Sequence, residues 1–81
     1  MSDDAKKLHD YLKSKRELCL DTLRSRIQVK MEYADYVVLL AGELGMDPED
    51  CLEAFQELEA RERICIMPQM EPHIDFIEVY D

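Results

Sequence analysis

The sequence predicts a mostly α-helical domain closed by a small β-hairpin. Apolar residues recur at helical spacing through much of the first sixty positions. A sharp stop and restart at Gly45-Met46-Asp47-Pro48 separates two helices, and after Arg63 the apolar period shortens to that of strands. With 81 residues the chain suffices for one modest core, so residues 1–81 are expected to form a single domain. Residues 1–16 are expected to be a helical extension, and residues 17–81 a core ending in a hairpin over 64–80.

Ser2 can cap a first helix whose opening turn holds Asp3 and Asp4, where the helix dipole favours acids. Ala5, Leu8, Tyr11 and Leu12 follow at helical spacing. Ser14-Lys15-Arg16-Glu17 has the capping-box pattern, so a second helix starts there, or the first continues through Ser14. In that second helix Leu20, Leu23, Ile27 and Met31 form one apolar stripe with Cys19 at its edge, and Leu18 and Val29 lie on the other side. Ala34 to Leu44 has few charges and reads as a core helix closing at Gly45, although Val37-Val38 also permits a strand. Asp47 stands at the next N-cap and Pro48 at the first helical position, with Glu49 and Asp50 complementing the dipole. Met46 and Cys51 can staple that start, and Cys51, Leu52, Phe55 and Leu58 give the helix an apolar face. Ile64–Met67 and Ile74–Tyr80 read as strands joined by a loop containing Pro68 and Pro72.

The three cysteines, Cys19, Cys51 and Cys65, are an odd count without a CxxC pair, which favours reduced thiols. No apolar run approaches the ~20 residues of a membrane span, and the first residues show no signal-peptide pattern. The expectation is a soluble cytoplasmic protein with no membrane association.

Charge is divided unevenly along the chain, whose formal net charge is −9. Residues 1–30 carry eight bases against five acids; residues 31–81 carry two bases against fourteen acids. Asp47 to Glu62 alone holds seven acids against the single base Arg61. Such a split speaks to partners rather than to fold.

Leu40-Ala41-Gly42-Glu43-Leu44-Gly45, Asp47-Pro48-Glu49-Asp50 and Leu58–Ile64, followed by the Ile74–Tyr80 strand, resemble the winged helix-turn-helix family. That family's pattern is a helix ending in LAxxLG, a turn, a capped helix and an LxxxxxI entry into a hairpin. The resemblance extends over residues 18–80 if Leu18–Met31 is the family's first helix. It implies DNA contacts from the exposed face of the 48–62 helix and from the 67–73 wing. Those positions here hold Glu49, Glu53, Gln56, Glu57 and Ala60, and then Pro68, Gln69, Met70, Glu71 and His73. Carboxylates at such positions repel phosphate, whereas DNA binding draws its affinity from Lys and Arg.

The expected function is therefore a non-catalytic regulatory protein–protein interaction module. Its candidate partner-binding residues are Glu49, Glu53, Gln56, Glu57, Met67, Met70 and Glu71, with methionines as adaptable contacts and acids steering a basic or nucleic-acid-binding partner. An adaptor, or an inhibitor that mimics DNA, would fit. The alternative is a small dimeric DNA-binding transcriptional regulator docking through Lys6, Lys13, Lys15, Arg16 and Arg24. A homodimer is also suggested by the second apolar side, Leu18 and Val29 with Tyr11 and Tyr33 nearby. For catalysis, a Cys65–His73 pair across the hairpin lacks a third orienting group, and the Cys and His spacings match no metal site. No catalytic residue, cofactor or metal is expected.

Overall fold

Residues 24–31 read Arg-Ser-Arg-Ile-Gln-Val-Lys-Met, so Ile27, Val29 and Met31 alternate with Arg26, Gln28 and Lys30. That is the pattern of a strand with one covered face, and a strand is what forms. The computed structural model describes residues 1–69 and 72–81. Its elements are α1 (Asp3–Lys15), β1 (Glu17–Cys19), β2 (Arg24–Glu32), α2 (Tyr33–Leu44), α3 (Pro48–Ala60), β3 (Ile64–Met67) and β4 (His73–Val79). The four strands form an antiparallel sheet in the order β1-β2-β4-β3.

The mostly α fold with a small hairpin is thus overturned: the protein is α+β, with three helices on a four-stranded sheet. The error lies in Leu18–Met31, where two periodicities coexist. Leu20, Leu23, Ile27 and Met31 satisfy a helical period, while Ile27, Val29 and Met31 satisfy a strand period. Pairing with β4 decides between them, because it places Ile27 opposite Ile77 and Ile77 opposite Ile66 in one apolar row. Such cross-strand packing outweighs helix propensities of a few tenths of a kcal/mol per residue. Lys30, at φ 52°, lies within a register shift between Gln28 and Met31 that bends β2 before it turns into α2.

The helices end largely as their sequences dictate. Ser2 Oγ accepts from the Ala5 amide at 3.1 Å, capping α1. Ser14 opens no new helix; its hydroxyl donates to the Tyr11 carbonyl at 2.6 Å, and the chain becomes extended at Arg16. Gly45 closes α2 in the left-handed region at φ 67°, its amide donating to Ala41. Asp47 precedes α3 with extended backbone but makes no side-chain cap, so Pro48 and the first-turn acids define that start.

All three helices contribute to the core. Ala5, Leu8 and Leu12 are fully buried, which makes α1 a core element packed along α3 rather than an extension. Phe55, also fully buried, meets the Tyr33 ring edge-on at 5.8 Å and the tilted Tyr36 ring at 6.0 Å. Ile64, Ile66, Ile77 and Val79 line the sheet beneath. Burial pushes the Cys51 thiol up to about 11, so it behaves as an apolar filler.

Candidate partner-binding surface

Two surfaces stand out, one helical and one on the sheet edge. Residues 33–60, spanning α2, the turn and α3, contain eight acids and no Lys or Arg. Glu49, Asp50, Glu53 and Gln56 are exposed along α3, and Asp35 and Glu43 along α2. Val38, Leu39 and Leu52 are exposed apolar residues on the same two helices. The acids face solvent because Cys51, Ala54, Phe55 and Leu58 turn the opposite side of α3 to the core.

Glu57 differs from its neighbours. It accepts from the Ser2 amide at 2.9 Å and pairs with Arg61 at 3.3 Å, so it ties the start of α1 to α3. The Ser2 amide is the main cause of its depressed pKa, helped by the terminal amine and Arg61. Glu59 is shifted the other way by partial burial. Glu57 is thus partly a structural residue, whereas Glu49 and Glu53 have no ion-pair partner among the described residues.

Met67 belongs to a different surface. Ile64 and Ile66 point inward, so Cys65 and Met67 stand on the sheet face away from the helices. There Met67 lies opposite Phe76, over whose ring the Arg26 guanidinium sits at 4.4 Å. The expected grouping of Met67 with the α3 acids does not form, because sheet alternation places them on opposite sides of the core. Met70 and Glu71, expected in the same group, lie outside the described residues.

The basic candidates are also dispersed. Arg24 lies on β2, not on a helix with Lys6 and Lys13, and pairs with Glu78 at 3.3 Å. Arg16 donates to the Val79 carbonyl at 3.2 Å and to Asp81 at 2.6 Å, which holds the Asp81 carboxyl below its usual range. Lys13 pairs with Asp10 at 3.6 Å, and Lys15 sits 5.7 Å from the Tyr11 ring centroid. Lys6 is exposed on α1.

Cys65 and His73 do not form a nucleophile–base pair. Cys65 is opposite Glu78, whereas His73 is at the far end of β4 opposite Glu32. Five residues of strand put the two positions roughly 17 Å apart at about 3.3 Å per residue. The Cys65 thiol instead contacts Met67 Sδ at 3.6 Å, and His73 contacts Asp75 at 3.6 Å.

His9 was not singled out by its sequence context, yet it is 4% exposed. Its Nε2 lies 2.6 Å from the Tyr80 carbonyl, which can only accept, so that nitrogen carries the proton. With Arg16, and with Arg63 donating to the Asp81 carbonyl at 2.7 Å, it clasps residues 79–81. The available signal was the placement of His9 beside Leu8 and between Ala5 and Leu12, on the buried side of α1.

The second surface is the β1–β2 hairpin. Leu18, Leu20 and Leu23 are 57%, 78% and 75% exposed, although the sequence placed all three on a helix. An open cleft of about 410 Å³ lies beside it, lined in part by Lys15, Leu18, Arg26 and Gln28. Comparison of the chain with protein-family models, curated proteins and solved structures finds no match. Among the described residues, no helix is long and apolar enough to cross a membrane.

Proposed function

We propose that the protein is a non-catalytic, cytoplasmic regulatory module that docks a basic partner protein through α2 and α3. The observation that carries this reading is the acid-only stretch 33–60 combined with exposed Val38, Leu39 and Leu52 on the same helices. Acids would steer a cationic partner and apolar side chains would supply contact area. An inhibitor that competes for a nucleic-acid-binding protein's basic groove fits the same chemistry. The order α2, α3, β3, β4 supports kinship with winged-helix proteins at the level of outline and adds no site. DNA binding through the N-terminal bases is the weaker alternative, since Arg16 and Arg24 are engaged by Asp81 and Glu78.

Fluorescence anisotropy against two probes tests this reading. A labelled amphipathic peptide rich in Lys and Arg should bind, weaken as salt rises, and lose binding to the Glu49→Lys/Glu53→Lys variant. Saturable binding to a labelled random duplex, steeply salt-dependent and lost in a Lys6→Ala/Lys13→Ala variant, would overturn it.

A further inference from the structure

We propose that Cys65 and Met67 form a two-sulfur site for a soft monovalent metal ion, cuprous copper, at the edge of the sheet. The inference goes beyond the docking function above and uses a different part of the molecule. Three observations carry it.

The first is the sulfur pair. β3 is an edge strand, and alternation along it sends Ile64 and Ile66 into the core and Cys65 and Met67 to the uncovered face. Residues two apart on one strand face are neighbours, and here the Cys65 thiol lies 3.6 Å from Met67 Sδ. A metal–sulfur bond is about 2.3 Å, so two sulfurs so placed subtend about 100° at a shared ion. That angle is close to those of trigonal and tetrahedral sites, so one ion can take both sulfurs with little movement of either. Gln69 Nε2 lies 3.6 Å from the Cys65 sulfur and donates to it, which supports negative charge there. The Cys and His spacings conceal this pair, because half of it is a thioether.

The second is access. An open cleft of about 400 Å³ is lined by Glu59, Glu62, Ile64, Cys65, Gln69 and Tyr80. Met67 is itself exposed. An ion can therefore reach both sulfurs from solvent, and water or a small added ligand can complete its coordination. Cys51, fully buried among the helices, offers no such approach.

The third is charge and donor chemistry, which select the ion. Glu59 and Glu62 line the cleft and have no ion-pair partner among the described residues. The bases of the same turn are engaged elsewhere: Arg61 pairs with Glu57, and Arg63 donates to the Asp81 carbonyl. The cleft thus attracts cations, on a chain whose net charge is −9. Thiolate and thioether are soft donors that select cuprous copper, whereas zinc favours thiolate with imidazole and the hard cations take oxygen. Binding exchanges one proton for one ion. The Cys65 S–H bond breaks, a sulfur–copper bond forms, the proton leaves to solvent, and no oxidation state changes.

An oxygen-free titration of the full chain tests the site, in a Cys19→Ser background that removes the other accessible thiol. Cuprous ion is supplied as its acetonitrile complex in competition with the chromogenic chelator bicinchoninate, and far-UV circular dichroism confirms that each variant is folded. The expected result is one ion withdrawn from the chelator per chain. X-ray absorption should then show two sulfurs on the copper. Cys65→Ser should abolish uptake. Met67→Leu keeps the thiol, yet should weaken uptake about tenfold or more, since even a supporting contact to a metal site is worth that much. Failure of the parent chain to take copper from the chelator overturns the proposal. So does a Met67→Leu variant that binds as tightly as the parent, which would reduce the site to a lone thiol, or zinc bound as tightly as copper. None of these outcomes touches the peptide-binding test of Glu49 and Glu53, so the two readings can fail separately.

Discussion

The core-facing side of the helices and the β1–β2 hairpin use their leucines in opposite ways. Leu8, Leu12, Leu40 and Leu58 are at most 2% exposed among the helices, whereas Leu20 and Leu23 are about three-quarters exposed. The same residue type therefore holds the fold in one region and does little for it in the other. Exposed apolar atoms contribute nothing to folding that they have not already contributed to the unfolded chain.

Phe55→Ala would test the helical side of this contrast most severely. It removes the ring on which Tyr33 and Tyr36 pack, and should lower unfolding free energy by about 3–5 kcal/mol. Leu20→Ser, measured by the same urea titration of dilute monomer, should change it by under about 0.5 kcal/mol. A comparable loss from both would erase the distinction between the two regions.

Arg16→Ala should fall next in size. It deletes the bonds to the Val79 carbonyl and the Asp81 carboxylate, and should cost about 1–2 kcal/mol in the same titration. Hydrogen exchange should show faster exchange at Val79 and Tyr80 before the rest of β4 is affected. A uniform change along β4 would mean that the clasp is not local.

Leu23→Gly sharpens the comparison from the hairpin side. Relief of the left-handed strain is worth about 1 kcal/mol, offset in part by the freedom glycine gains in the unfolded chain. The thermal midpoint of the monomer should be unchanged or slightly raised. A clear fall would show that the leucine side chain stabilises its own chain.

The smallest effects concern pH, and here two acids of α3 should differ in sign. Glu57 is held below its ordinary value of 4.5 by the Ser2 amide first, and by the terminal amine and Arg61. Its contribution is present above 4.5 and is lost as pH falls through the lower folded-state value. Glu57→Gln should therefore flatten the acid limb of a stability–pH curve. Glu59 is raised by burial, so its ionised form opposes folding at neutral pH and its protonation on acidification relieves that cost. Glu59→Gln should raise the midpoint slightly at neutral pH and have no such effect well below pH 4.5.

Legibility in the sequence followed the range of the deciding interactions. The Gly45–Pro48 stop and restart needs only the local chemistry of an αL glycine and an N1 proline, and it was read correctly. So were β3 and β4, where the apolar period changes abruptly. The candidate residues Glu49, Glu53 and Gln56 are exposed on one helix, as their spacing required. Met67 was misplaced because its partners on the outer sheet face, Phe76 and Arg26, come from strands nine and forty-one residues away.

Local pattern by itself determined α3 and the β3–β4 strands, favoured helix for α1 and α2 while leaving the end of α1 and a strand at Val37-Val38 open, and determined the charge division along the chain. Capping, turn chemistry and side-chain periodicity act over a few residues and survive without the rest of the molecule. Only tertiary structure decided that Arg24–Glu32 is a strand, that α1 belongs to the core, and that His9 and Arg16 hold the chain at residues 79–81. Each of those outcomes rests on groups about fifty to seventy residues apart, such as Ile27 with Ile77 and His9 with Tyr80. A sequence that fits two periods equally is resolved by which face finds apolar cover, and that cover exists only once the sheet has assembled.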